Sequence, residues 1–104
     1  MRISVSSPGK HLDPDEVDRI ERDLDKIDRR LSDHNEVSAT VRIAETQGIP
    51  GWHVTLELDY GRNHLIAKAD NADLGQAVRE ARDEVVRQIN DRSRRGHSWF
   101  AKRR

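Results

Sequence analysis

The chain has no cysteine, little proline and few aromatic residues. Its 104 residues include three prolines, and aromatic residues make up 4%. The absence of cysteine excludes disulfide scaffolds, thiolate metal sites and cysteine nucleophiles. The sequence also lacks the run of about 18 apolar residues that a membrane span needs, and its first residues lack the apolar stretch of a signal peptide. We therefore expect one compact domain in the cytoplasm.

Charged residues are abundant but balanced over the whole chain. Lysine and arginine total 19, aspartate and glutamate also total 19, and together they make up 37% of the residues. The distribution is uneven, because residues 87–104 carry seven cations against one acid, so that residues 1–86 carry the matching excess of acids. A basic end on an acidic body indicates a polyanionic partner, although a solvated tail gives the same pattern.

Hydrophobic periodicity predicts six elements in the order β-α-β-β-β-α. Apolar residues alternate over 2–7, 37–44, 52–58 and 64–69, and recur at helical spacing over 14–31 and 74–92. Asp13, Pro14 and Glu16 supply an N-cap, a first helical residue and a capping-box acid for the first helix. The pattern predicts an α+β fold, with a four-stranded, mostly antiparallel sheet and both helices on one face.

The apolar periodicity ends near Arg92, which predicts a folded domain over 1–92 and a basic, disordered tail over 93–104. Trp99 and Phe100 lie between cations in this segment. Such a pattern suits stacking on unpaired bases with neutralisation of phosphates, but a tail that packs Trp99 on its own domain is equally consistent with it.

The first predicted helix is acidic by count, yet one side of it is basic. At 100° per residue, its five cations fall within about a third of the circumference, opposite the apolar stripe. They are Arg19, Arg22, Lys26, Arg29 and Arg30. This ridge, roughly 27 Å long, is a candidate RNA-binding surface, and a solvated face with ion pairs such as Asp25 with Arg29 is the alternative.

The second predicted helix begins acidic and ends basic. Its candidate RNA-binding residues are Arg79, Arg82 and Arg87, followed by Arg94 and Arg95 near the end of the chain. Late cations also complement the negative end of a helix, so this gradient has a structural explanation as well.

Catalytic chemistry has little support in the sequence. The five histidines, His11, His34, His53, His64 and His97, show no metal-ligand spacing, and there is no glycine-rich phosphate loop. His53, Thr55 and Glu57 share one side of a predicted strand, as alternate residues of any half-exposed strand do. We therefore expect no enzyme activity, no metal, no cofactor and no small-molecule substrate.

Several short strings, in order and spacing, resemble a known family. They are residues 25–27 (DKI), 33–37 (DHNEV), 65–70 (LIAKAD), 73–74 (DL) and 85–89 (VVRQI). The chain resembles the short ribosome hibernation promoting factors and ribosome-associated inhibitors, also called the sigma-54 modulation family. The resemblance covers roughly residues 1–95.

The resemblance implies a bacterial protein that binds 16S rRNA of the small ribosomal subunit and inhibits translation under stress. By position, it assigns RNA contacts to Lys26 and Arg87. It also implies a protein that does not bind a membrane and that lacks the C-terminal dimerisation domain of longer members. Three positions depart from the family pattern: Asp23 and Glu84 stand where lysines are common, and Gly75 replaces a tyrosine. Fewer cations predict weaker RNA binding with less salt dependence.

Two other functions are consistent with the element order. A double-stranded RNA module shares the α-β-β-β-α order, but it needs a lysine-rich start to its last helix, where this chain has the acids Asp70 and Asp73. A divergent paralogue that kept the fold as a protein-interaction domain, without ribosome binding, would explain Asp23 and Glu84.

Overall fold

The chain folds into four strands and two helices in the predicted order. The computed structural model describes residues 1–8 and 11–102, with side chains as far as Arg92. The elements are β1 (Arg2–Ser6), α1 (Pro14–Arg30), β2 (Val37–Glu45), β3 (Trp52–Tyr60), β4 (Asn63–Asn71) and α2 (Leu74–Lys102). The predicted α+β architecture is confirmed.

The strands form one mixed sheet in the order β1-β2-β3-β4. The crossover through α1 makes β1 parallel to β2, with Ile3 opposite Ala39. The other two pairs are antiparallel hairpins, in which Val41 lies opposite Leu56 and Leu58 opposite Leu65. This register places the alternating apolar residues of all four strands on the same face, whereas Ile66 of β4 lies on the other face and is exposed.

The core lies between that apolar face and the two helices. Every residue of the α2 stripe is buried, and so is the α1 stripe apart from half-buried Val17. The buried stripe residues are Ile20, Leu24, Ile27 and Leu31 in α1 and Leu74, Ala77, Val78, Ala81, Val85 and Ile89 in α2. The opposite face of the sheet carries mostly polar and charged residues, together with the exposed Ile66.

The helix boundaries match the sequence at the start of α1 and differ at the end of α2. At the N-terminus of α1, the Asp13 backbone N–H donates to the Glu16 carboxylate at 3.3 Å. Helix α2 continues to Lys102, ten residues beyond the predicted end at Arg92. The side chains after Arg92 lie outside the described residues, and the disordered tail over 93–104 stays a prediction.

Candidate nucleic-acid interface

Helices α1 and α2 lie side by side and run in the same direction. Three contacts, in order along α1, join Asp23 to Arg79, Lys26 to Asp83 and Arg30 to Asn90. Because the residue numbers rise together on both helices, their N-termini share one end of the molecule and their C-termini share the other. The parallel arrangement brings the late cations of both helices to the same end.

The basic ridge predicted on α1 is present and exposed. Arg22, Lys26, Arg29 and Arg30 all lie on the solvent side, opposite the buried stripe. Arg29 pairs with Asp25 at 3.0 Å but keeps 81% of its side chain exposed. Lys26 is 3.9 Å from the Asp83 carboxylate and 58% exposed. The ridge therefore remains accessible to a partner.

Three members of this ridge have no acidic partner among the residues whose side chains are described. Arg19 and Arg22 form no ion pair, and Arg30 donates to the neutral amide of Asn90. Their positive charges are therefore not cancelled by a bonded carboxylate. Nothing in the sequence pointed to Asn90, because the helical period places a residue on a face without saying which side chain of another helix it meets.

An exposed cation of α2, Arg87, is in contrast held by two acids. Arg87 pairs with Glu84, three residues before it, and with Asp91 at 2.7 Å, four residues after it. The hydrogen bonds from Arg87 lower the pKa of Glu84, and the same bonds raise the pKa of Arg87 above its ordinary value. The charge of Arg87 is thus offset locally, so that it attracts a distant anion less than an unpaired arginine would.

Arg82 joins the two helices and is largely covered. One guanidinium nitrogen donates to the backbone oxygen of Asp23 at 3.3 Å, and another pairs with Asp83 at 2.9 Å. Only 17% of its side chain is exposed. These contacts give Arg82 a role in packing α2 against α1.

The family departures at Gly75 and Asp23 are linked through Arg79. A Cβ atom on Gly75 would lie 3.3 Å from one guanidinium nitrogen of Arg79, so the guanidinium occupies the space next to this glycine. From there Arg79 reaches Asp23 at 3.8 Å and Asp73 at 4.0 Å. Gly75 therefore leaves room for Arg79, which pairs with Asp23.

The histidines on the open face of the sheet form pairs across strands. His53 bonds Asp70 at 2.7 Å, and His64 bonds Asp59, in each case with the residue opposite on the neighbouring strand. Within the described part of the chain, no three His, Asp or Glu side chains come together as a metal-binding group. The side chains of Arg94 and Arg95 lie outside the described residues.

A family model described as sigma 54 modulation protein / S30EA ribosomal protein matches residues 3–97. The chain belongs to this family. The match covers nearly all of the described chain, and it confirms the resemblance drawn from the short strings. S30EA proteins are ribosome-associated modulation and hibernation proteins, not an enzyme family, and ribosome association implies a cytoplasmic location.

Two solved structures share the S30EA fold at low sequence identity. The N-terminal domain of Protein Y from Thermus thermophilus has a TM-score of 0.72 and 20% identity, over 86% of this chain and 96% of that one. A ribosomal subunit interface protein from Coxiella burnetii has a TM-score of 0.77 and 14% identity, over 89% and 98%. No curated protein sequence matches the chain. Neither helix, as far as the described residues extend, has the apolar length needed to cross a bilayer.

Proposed function

We propose that this protein binds the small ribosomal subunit through contacts to 16S rRNA, inhibits translation and promotes ribosome hibernation under stress. The observation that carries the proposal is the exposed ridge on α1, which includes Arg22, Lys26, Arg29 and Arg30. Family membership supports the ribosome as the partner, and the ridge supplies a surface that suits its phosphates.

The contribution of each cation follows from its surroundings. Arg22 and Arg30, which lack acidic partners among the described side chains, would release counterions on meeting phosphates and supply the first contacts. Arg79 and Arg87 would have to exchange a carboxylate for a phosphate, so their net gain would be smaller. Arg82 would act by holding α2 in place, and Arg94 and Arg95 would extend the contact along α2.

Co-sedimentation with small subunits at two salt concentrations tests the proposal. The parent protein should co-sediment at low salt and less at high salt, because phosphate contacts release counterions. The double variant Lys26→Glu/Arg87→Glu changes the charge of the two helices by four units and leaves both apolar stripes intact. It should lose most of its binding.

A matched control changes the same charge on the other side of the molecule. Arg42 and Lys68 are exposed on the open face of the sheet, away from the helices. The variant Arg42→Glu/Lys68→Glu, shown to be folded by circular dichroism, should bind like the parent. Equal loss in both variants would mean that overall charge, rather than the helices, controls binding, and would contradict the proposal.

A protein-interaction domain without ribosome binding is the second candidate. The acids around Arg87 and the Asp83 carboxylate beside Lys26 favour it, because they weaken attraction to RNA. Absence of co-sedimentation by the parent protein even at low salt would select this function over the first.

A further inference from the structure

A cleft at one end of the sheet lies outside the helical surface described above. It has a volume of about 610 Å³, and it lies where β1 and β2 begin and β3 ends. Arg2, His34, Asn35 and Tyr60 are among the residues that line it. We propose that this cleft binds one unpaired nucleotide of an RNA strand. The proposal rests on the proposed function, because it supposes that the partner is RNA.

The cleft contains a pair of aromatic rings that suits base stacking. The rings of His34 and Tyr60 meet edge to face, with centroids 5.1 Å apart and planes at 74°. Tyr60 is buried and therefore held in place by the residues around it, and burial raises the pKa of its hydroxyl. His34 is exposed. An exposed ring held against a buried one is a ready surface for an unstacked base, which proteins commonly bind on histidine and tyrosine rings.

Polar side chains beside the rings match the edges of a base. Asn35 and Glu36, both exposed, follow His34 directly and also line the cleft. An amide offers a donor and an acceptor, and a carboxylate accepts from amino groups, so the two can read the hydrogen-bonding edge of a base. Asp59, a second acid in the lining, is engaged by His64 on the open face of the sheet.

Arginines around the cleft supply the charge that a nucleotide phosphate needs. Arg2 lines it, and Arg62 follows Gly61 of the lining in the exposed turn between β3 and β4. Arg92 lies close to that turn, since it donates to the Asn63 side chain at 2.9 Å. These side chains come from three separate parts of the chain, and only the fold collects them at one end.

The position of the cleft connects it to the basic ridge. The amino group of Met1, which lines the cleft, is 3.4 Å from the Asp28 carboxylate near the end of α1. Arg29 and Arg30 follow Asp28 directly, so an RNA strand along the ridge would reach the cleft as it passes the last turn of α1. The volume lies within the range of about 300–1,000 Å³ that is usual for small-ligand sites.

The test compares two histidine variants of the full chain for binding a single-stranded adenylate 12-mer. His34→Ala should weaken binding about tenfold, because one base–aromatic stack is lost. His53→Ala is the matched control, because His53 lies near the end of the sheet that is opposite the cleft, where it pairs with Asp70. It should bind like the parent.

A second measurement locates the nucleotide. Adenosine 5′-monophosphate at high concentration should shift the ring resonances of His34 and Tyr60 in NMR spectra. A blunt-ended RNA duplex as long as the 12-mer should not shift them. Equal effects of His34→Ala and His53→Ala, or shifts confined to α1, would overturn the proposal. Binding of the free monophosphate as tightly as the 12-mer would identify a free nucleotide as the ligand and overturn the assignment to RNA.

Ribosome co-sedimentation separates this proposal from the proposed function. If parent and His34→Ala co-sediment equally with small subunits and bind the 12-mer equally, the cleft assignment fails and the ribosome assignment stands. If the parent fails to co-sediment at low salt, the ribosome assignment fails whatever the 12-mer shows.

Discussion

Helices α1 and α2 both carry cations on their solvent sides, but they present them differently. On α1, Arg22 has no ion pair among the described side chains and Arg30 bonds only a neutral amide. On α2, Arg87 lies between Glu84 and Asp91, and Arg82 is mostly covered by its contacts to α1. Counting cations alone would rate the two helices as similar, but their partners make α1 the more attractive surface for a phosphate.

Two acids account for part of this difference. Asp23 and Glu84 each engage an arginine of α2. Later on α2, Arg92 donates to the neutral amide of Asn63, and the sequence after it has five cations and no acid.

The largest effect is expected from removing residues 93–104. Ribosome affinity should fall, and the slope of log affinity against log salt should decrease by roughly 0.7–0.9 for each of these cations that meets a phosphate. Titrations of parent and truncated protein at several salt concentrations measure both quantities. An unchanged affinity with an unchanged slope would show that the segment serves only solubility.

A smaller effect is expected from Arg22→Gln on α1. Among the described side chains, Arg22 has no acidic partner, so its charge is available to a phosphate. The variant should therefore bind ribosomes more weakly and lower the slope of log affinity against log salt by about one. The matched control is Arg42→Gln on the open face of the sheet, which should leave the slope unchanged. Equal slopes for the parent and Arg22→Gln would remove α1 from the interface.

Releasing Arg87 should make α2 behave more like α1. The double variant Glu84→Gln/Asp91→Asn removes both carboxylates that hold the guanidinium. Ribosome affinity should rise several-fold at low salt, and thermal stability should change little, because exposed ion pairs contribute about 0–1 kcal/mol each. Isothermal titration at low salt checks the affinity, and a loss of affinity would contradict the comparison.

The smallest effect is expected on the sheet, where His64 pairs with Asp59. The hydrogen bond to Asp59, together with the charge of that carboxylate, raises the pKa of His64 above 6.5. A histidine whose pKa is higher in the folded than in the unfolded protein stabilises the fold. This stabilisation is complete at pH values below the pKa of the unfolded state, and it is lost as the pH rises through the pKa of the folded state. His64→Gln should therefore lower the urea midpoint at pH 5.5 and leave it unchanged at pH 8.5. A difference of the same size at both pH values would contradict this.

Much of the fold and part of the interface could be predicted from local patterns. The capping residues at Asp13 and Glu16 and the apolar stripe of α1 determine which side of that helix faces water, so the exposure of Arg22 and Lys26 was predictable. The pairing of Arg82 with the Asp23 backbone was not, because it joins residues 59 positions apart. The end of α2 was also missed, because periodicity detects a buried stripe and gives no signal where a helix continues without one.

The sequence by itself determined the element order, the buried faces and the charge gradient from acidic body to basic end. Only the tertiary structure decided that α1 and α2 run in the same direction, so that their basic C-terminal halves lie together. It also decided which cations keep their charge free, and that Arg2, His34 and Tyr60 surround one cleft. The physical reason is range: periodicity and capping act within a few residues, whereas ion pairs and clefts depend on side chains that only the packed sheet and helices bring together.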